Sequence, residues 1–336
     1  MPVRMKDIAK DLGISPMAVS KALRDHKDIG EDTKERVRRR AAELHYRMDW
    51  VARSLVTGRT YLVGLVVPDL MQSFFAEIAT ALTAAISPAG YHLLISHSSE
   101  NATEEAANTD LLVSRKVDGL VIASAQRSPQ ALKALKIPYV LIDRRITGLK
   151  ANYVGTKNEE VGYLATEHLI EQGCRRIAHL KGPAVSTAAG RLRGYRRALA
   201  KHHLAASAEL ILDAGHEDAS GYQAMRRLLK ERPRPDGVFC FNDPVAVGAM
   251  RAILEAGLSI PQDVAIVGVA NMHYSDILRI PLSTVDQGTT QMGEQAAALL
   301  LASMASNNPL PPRQLIVPPR LIVRASSQRR ASAPSS

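Results

Sequence analysis

Residues 13–24 read GISPMAVSKALR. Gly13 ends whatever precedes it. Ser15 is a good N-cap, and Pro16 suits the first helical position because its missing N–H costs nothing there. Val19, Ala22 and Leu23 then fall at i, i+3 and i+4, so one face packs on a core. Met17, Ala18, Lys21 and Arg24 point away from it. A helix of about ten residues is marginal alone. It needs a neighbour to fold, and its mixed outer face invites a partner.

The neighbours lie on either side. A first helix is expected over 5–11, with Ile8, Ala9 and Leu12 on one side, and a third over 31–45, with Val37, Ala41 and Leu44 at i, i+4 and i+7. Glu31 and Asp32 complement the third helix's dipole, and Gly30 is its N-cap. Only LGI separates the first two helices, a turn suited to a steep crossing, which is helix-turn-helix geometry. Residues 46–60, YRMDWVARSLVTGRT, hold a short helical pattern (Val51, Ala52, Leu55) with too few apolar positions to fold alone. They read as a linker that becomes helical when something stabilises it.

Charge is concentrated in this head. Residues 1–60 carry 14 Lys and Arg against 9 Asp and Glu, half of the chain's net charge of +10. A small basic module points to a polyanion, although a run such as KERVRRRAAE also makes an ordinary solvated helix face.

From Tyr61 the texture changes. Apolar runs (YLVGLVVPD, HLLISHSS, VDGLVIAS, YVLIDR, RRIAHLKGP, AELILDAG, GVFCFND, VAIVGV) alternate with amphipathic helical segments. Continuous Val/Ile/Leu strands alternating with helices mean buried parallel sheets. About eleven strands exceed one comfortable core, so two α/β lobes are expected. The domains expected are 1–46, a linker 47–60, a two-lobed unit 61–325 and a disordered tail 326–336, whose end QRRASAPSS is polar and small.

Several function classes drop out. No apolar run approaches a membrane span, and MPVRMKDIAKDLG lacks the apolar middle of a signal peptide, so a cytoplasmic location is expected. Cys174 and Cys240 have no CxxC spacing and read as reduced core residues. GxGxxG, GxxxxGK[ST], HExxH and GxSxG are absent from the sequence. His216, Glu217 and Asp218 are adjacent and do not share a helix face, so no metal and no cofactor are expected. Polar strand ends (Asp69, Asp143, His216, Asn242, Asp243, Asn271) fit a recognition cleft at the carboxyl ends of strands better than a reaction centre. A transport solute-binding protein would share two lobes but needs export and leaves the basic head unexplained. An enzyme would need a nucleophile assembled with its base.

In order along residues 3–325, MKDIAKDLGISPMAVSKALR, ERVRRRAAELHYRMDWVARSL, VGLVVPDLMQSFFAEI, VDGLVIAS, GRLRGYRRAL, FCFNDPVAVGAMRAILEAGLSIPQDVAIVG and PLSTVDQ resemble the lactose/purine repressor (LacI/GalR) family of bacterial transcription regulators. The resemblance implies an all-α helix-turn-helix head plus a two-lobed, periplasmic-binding-protein-like α/β domain with parallel sheets. It implies a homodimer on a pseudo-palindromic double-stranded operator, a repressor on the nucleoid, controlled by a small-molecule effector such as a sugar or sugar derivative.

Site residues follow from that resemblance. The second helix enters the major groove, with Pro16, Met17 and Lys21 at base-reading positions and Ser15, Ala18 and Ser20 beside them. Lys21 can donate to guanine, and Met17 offers apolar contact. Arg24 stands where the family usually has Asn and is expected at phosphate, as is Thr33. In VARSL, Ala52 lies against the minor groove, Leu55 wedges between base pairs and Arg53 lies near the backbone. The effector positions are Phe74, Phe75, Asp143, Thr187, Arg191, His216, Asn242, Asn271 and Gln287. Ala270 stands where relatives usually have a ligand-gripping Asp, and Asn271 is expected to take over part of that role. The tetramer-forming heptad tail of the family has no counterpart in QRRASAPSS.

Overall fold

The computed structural model describes residues 3–46, 54, 57–306, 308 and 310–329. The hinge contacts expected of Ala52, Arg53 and Leu55 fall outside the described residues. The chain forms two compact units, residues 1–60 and 61–336.

The first unit holds α1 (Met5–Leu12), α2 (Pro16–Leu23) and α3 (Glu31–Glu43). Ile8, Ala9, Val19, Ala22, Val37 and Ala41 form its core, each contributed by the apolar stripe of its helix. Gly13 closes α1 at φ 64°, a left-handed turn that glycine adopts without steric cost. The Ser15 hydroxyl accepts the Ala18 N–H at 3.1 Å and caps α2. Lys34, inside the run that could pass for a solvated face, is buried and paired with Glu31 at 2.6 Å and Asp25 at 3.0 Å.

The second unit is two lobes. Lobe 1 contains β1 (Leu62–Val67), β2 (His92–His97), β3 (Gly119–Ile122), β4 (Tyr139–Ile142) and β5 (Asn152–Thr156), with α4 (Ser73–Ile86), α5 (Ala102–Ser114) and the short α6 (Gln130–Lys133). Lobe 2 contains α7 (Asn158–Glu171), β6 (Ile177–Lys181), α8 (Ser186–Lys201), β7 (Ile211–Asp213), α9 (Asp218–Leu228), β8 (Gly237–Cys240), α10 (Asp243–Glu255), β9 (Ala265–Val269) and β10 (Ser283–Asp286). The chain then returns to lobe 1 as α11 (Thr289–Ala305) and β11 (Gln314–Val317), and ends in lobe 2 as β12 (Arg320–Ile322).

Among the described residues each sheet has six strands, ordered β11-β5-β4-β3-β1-β2 and β12-β10-β9-β8-β6-β7. Every pairing is parallel except β10 with β12. Buried strand interiors such as Val63–Val67 and Ala265–Val269 explain why these segments are apolar throughout. The lobes are joined at residue 157, at 287–288 and at 318–319, and the cleft lies between the strand ends of the two sheets.

β5, β10, β11 and β12 are not among the continuous apolar runs of the sequence. They are short and polar (NYVGT, STVD) or lie at a sheet edge, and β11 pairs with β5 across some 160 residues. Local periodicity carries no record of such a pairing. The tail expected to be disordered from 326 is packed as far as 329. Ser326 donates to the Ile266 carbonyl and accepts the Ser283 N–H, both at 2.8 Å. Arg329 donates to the Asp236, Asp263 and Pro261 carbonyls. These residues are polar because they satisfy backbone groups, which composition alone reads as disorder.

Candidate nucleic-acid face and effector cleft

On the head, Ser15, Pro16 and Met17 are exposed, and Met17 keeps 70% of its surface open. Ala18, Ser20 and Lys21 are half-buried beside them. Lys21 pairs with the exposed Asp28 at 3.0 Å, which holds the Asp28 carboxyl below its ordinary range. Arg24 folds back so that its Nε donates to the Ser20 carbonyl at 3.0 Å. Thr33 is half-buried near the start of α3. The face is therefore an apolar tip (Pro16, Met17) flanked by Lys21, paired with an exposed carboxylate, and by the exposed Arg24.

In the second unit a cavity of about 30 Å³ lies between the lobes. Phe74, Phe75, Asp143, Arg191, Asn242 and Gln287 line it, as expected for residues at strand ends and helix starts. Phe74 and Phe75 pack edge to face, 5.1 Å between ring centres. Gln72, Arg144, Phe241 and Met272 also line it and were not in the sequence reading. Each is adjacent to, or one residue from, a residue that was.

Arg191 organises the cavity. Its Nε donates to Asn158 Oδ1 and its Nη2 to Gln287 Oε1, both at 3.1 Å, and its Nη1 donates to the Phe241 carbonyl. The guanidinium lies 4.6 Å from the Phe241 ring centre. Burial pulls its pKa down to about 10, with Asp143 opposing. The site exists because α7 and α8 pack closely: a Cβ at Gly162 would sit 2.0 Å from the Arg191 carbonyl oxygen. Only glycine permits that approach.

Asp143 follows β4 at φ 61° and Ala270 follows β9 at φ 116°. Such left-handed backbone is strained for residues other than glycine, and it clusters here at the cleft. Burial raises the Asp143 carboxyl, while Arg191 and Arg144 pull it back. Asp143 Oδ1, Gln287 Nε2 and Arg144 Nε are buried without a well-formed hydrogen bond, although Arg144 Nε lies 3.9 Å from Asp143 Oδ2 as an ion pair. The two Arg144 Nη groups grip Glu100, both at 2.6 Å.

The remaining expected residues stand elsewhere. Thr187 is buried in the first turn of α8, outside the cavity lining. His216 is at the rim, its Nε2 3.7 Å from Asp69 of the other lobe. Asn242 touches the cavity, but its amide is used: Oδ1 caps α10 at the Val245 N–H, and Nδ2 holds the His216 carbonyl at 2.8 Å. Asn271 turns away, accepting from Arg324 at 2.7 Å and donating to Asp286 at 3.5 Å. It does not occupy the place of the missing carboxylate. The buried Asp243 is committed to structure, accepting from Met272 N–H, Ser275 and Thr284. Among the described residues no group of His, Cys, Asp and Glu could hold a metal, and no helix is long and apolar enough to cross a membrane.

Comparison with known proteins matches residues 4–49 to bacterial regulatory proteins of the lacI family and residues 166–327 to the periplasmic binding protein-like domain. The chain is 33% identical over 303 residues to the HTH-type transcriptional repressor PurR of Pectobacterium carotovorum, covering 88% of each. It is 30% identical over 300 residues to PurR of Histophilus somni, covering 88% of this chain and 90% of the relative. Among solved structures, the lac repressor dimer bound to operator and the anti-inducer ONPF superposes with a TM-score of 0.85 at 25% identity, over 98% of this chain and 100% of that one. The CelR–cellobiose complex gives 0.73 at 29% identity, over 96% and 99%.

Proposed function

Since the chain belongs to the LacI family of bacterial regulatory proteins and is an effector-responsive, DNA-binding transcriptional repressor rather than an enzyme, we propose which of its residues read the operator and what kind of effector it obeys. The protein binds a pseudo-palindromic operator as a dimer and so resides on the nucleoid. From each head, α2 enters the major groove. Met17 meets an apolar base edge such as a thymine methyl, Lys21 leaves Asp28 for guanine O6 or N7, and Arg24 swings out to phosphate. Leu55, with Ala52 and Arg53, opens the minor groove between the two copies.

The effector is a polyhydroxylated small molecule, a sugar or sugar derivative. One observation carries this reading: Asp143 Oδ1, Gln287 Nε2 and Arg144 Nε are buried around a cavity between the lobes without a well-formed hydrogen bond, Arg144 Nε lying 3.9 Å from Asp143 Oδ2. Buried polar atoms are rarely left unpaired in native proteins. A ligand hydroxyl can donate to Asp143 and accept from Gln287 or Arg144 while the Phe74–Phe75 pair covers its apolar face. Asp143 belongs to lobe 1 and Arg191 to lobe 2, so such a ligand ties the lobes together. Its binding energy biases lobe closure and, through it, operator affinity.

Thermal-shift screening against sugars, sugar acids and nucleobases tests the class. A sugar-type hit should raise Tm, and Arg191→Ala should abolish the shift. A shift retained in that variant would place the ligand elsewhere. A nucleobase hit alone would overturn the class.

A further inference from the structure

Residues 226–234 read RRLLKERPR, five cations against one carboxylate in nine residues, a net of +4. Residues 61–336 as a whole carry 29 Lys and Arg against 24 Asp and Glu, a net of +5, so the surplus is gathered here. The stretch covers the last turn of α9 and the connection to β8. Because β6 and β8 run parallel, it lies at the amino ends of these strands, the end of the sheet away from the cleft. Arg175 and Arg176, just before β6, join it there. The Asp236 N–H donates to the Arg176 carbonyl at 3.0 Å, and Arg176 Nε donates to the Pro233 carbonyl at 2.8 Å. Arg227, Lys230, Arg232 and Arg234 are all exposed.

An ordinary solvated face matches its cations with carboxylates, and lobe 2 has such a face. On α8, Arg197 pairs with Glu159 at 2.6 Å and with Glu160 at 2.9 Å, and Lys201 pairs with Glu167 at 2.6 Å. The amino-end patch differs. Among the described residues its ion pair is Arg176 with Glu209, 3.6 Å apart, while Arg227, Lys230, Arg232 and Arg234 have none. Arg232 donates to the Leu229 and Glu231 carbonyls, which leaves its charge unmatched. The Asp236 carboxylate accepts the backbone N–H groups of Arg175 and Arg176, both at 2.9 Å. Arg227, in the last turn of α9, complements that helix's dipole. Lys230, Arg232 and Arg234 lie past the helix end, so the dipole does not account for them. Crowded like charges repel, and a polyanion relieves that repulsion.

We propose that the amino-end face of lobe 2 is a second, sequence-independent binding surface for duplex DNA, separate from the helix-turn-helix head. Guanidinium forks suit phosphate oxygens, and Arg227, Arg232 and Arg234 supply three of them beside Lys230. The head holds the protein on DNA, so another segment of duplex is the polyanion at the highest local concentration. A protein that grips one segment by its heads and another by lobe 2 bridges the two, and needs no tetramer-forming tail to do so.

The test uses the full-length protein, stoichiometrically saturated with an operator duplex selected from random sequence. A fluorescent duplex lacking that site is then added, and its anisotropy is read across a range of KCl concentrations. Saturable binding of this second duplex is expected, with log affinity falling against log salt at a slope of about −3 to −4, four phosphates at about −0.9 each. Arg227→Gln/Lys230→Gln/Arg232→Gln/Arg234→Gln should weaken it by about tenfold or more, flatten the slope and leave operator affinity unchanged. Arg227→Lys/Arg232→Lys/Arg234→Lys keeps the charge and should retain most of the binding. These side chains are exposed, so an unchanged Tm certifies the fold of both variants. Operator-saturated protein that takes no second duplex, or a glutamine variant that takes it equally well, overturns the proposal. So does a glutamine variant that loses operator affinity to the same extent, because the effect then belongs to the charge of the whole chain. Tighter binding of anionic vesicles or of single-stranded RNA than of the duplex overturns the choice of partner.

Discussion

Lys21 is the one cation at the base-reading positions of α2. Its present partner, Asp28, is an exposed carboxylate, so exchange for a guanine edge needs little reorganisation. Replacement by Ala should cost about 1–3 kcal/mol on a specific operator and relax specificity at one base pair. Fluorescence anisotropy on the operator and on single-base variants checks this. A uniform loss across all sequences would assign Lys21 to phosphate. At this scale the sequence was informative where a residue's neighbours are local. Ser15 as a cap and Val19 and Ala22 as core were legible from spacing. Asn271 was not, because what claims its amide is Arg324, brought back from 53 residues away. Lys34 looked solvated because its partner Asp25 lies beyond its own helix.

Among the elements, β6 places His179 wholly inside lobe 2, stacked on Phe239 at 4.5 Å and near Tyr195 at 5.3 Å. Burial depresses its pKa to about 4, so the imidazole is neutral in the folded chain. Unfolded, the ring titrates near 6.5. As pH falls the unfolded chain takes up this proton first. The contribution is therefore complete above about pH 6.5 and drains away toward pH 4, on the order of 3 kcal/mol in all. Burial lowers His168 as well, with the same sign. Urea unfolding from pH 4 to 7 should show stability rising with pH, with a shallower rise in His179→Phe. An unchanged slope in that variant would contradict the assignment. Strands with continuous apolar interiors, such as β1 and β9, announced themselves in the sequence. The edge strands β11 and β12, and the return of α11 to lobe 1, did not, because only long-range pairing defines them.

The second unit brings two lobes together around one cleft. Three crossings join them, and the residues that meet in the cleft come from both sides: Phe74, Phe75 and Asp143 from lobe 1, Arg191, Phe241 and Asn242 from lobe 2. The order of motifs along the chain gave the two-unit plan and the family. The sequence did not give the small inner volume, since it depends on how closely the lobes approach. Function follows from coupling this cleft to the operator-binding head, a coupling free energy that ligand and DNA must share reciprocally. The decisive measurement is operator affinity of the full-length dimer, by anisotropy, with and without a saturating hit from the ligand screen. The account predicts that the ligand shifts Kd by about tenfold or more, in line with typical coupling energies, and that Arg191→Ala removes the shift while leaving ligand-free affinity unchanged. An operator Kd that is identical with and without bound ligand would contradict it.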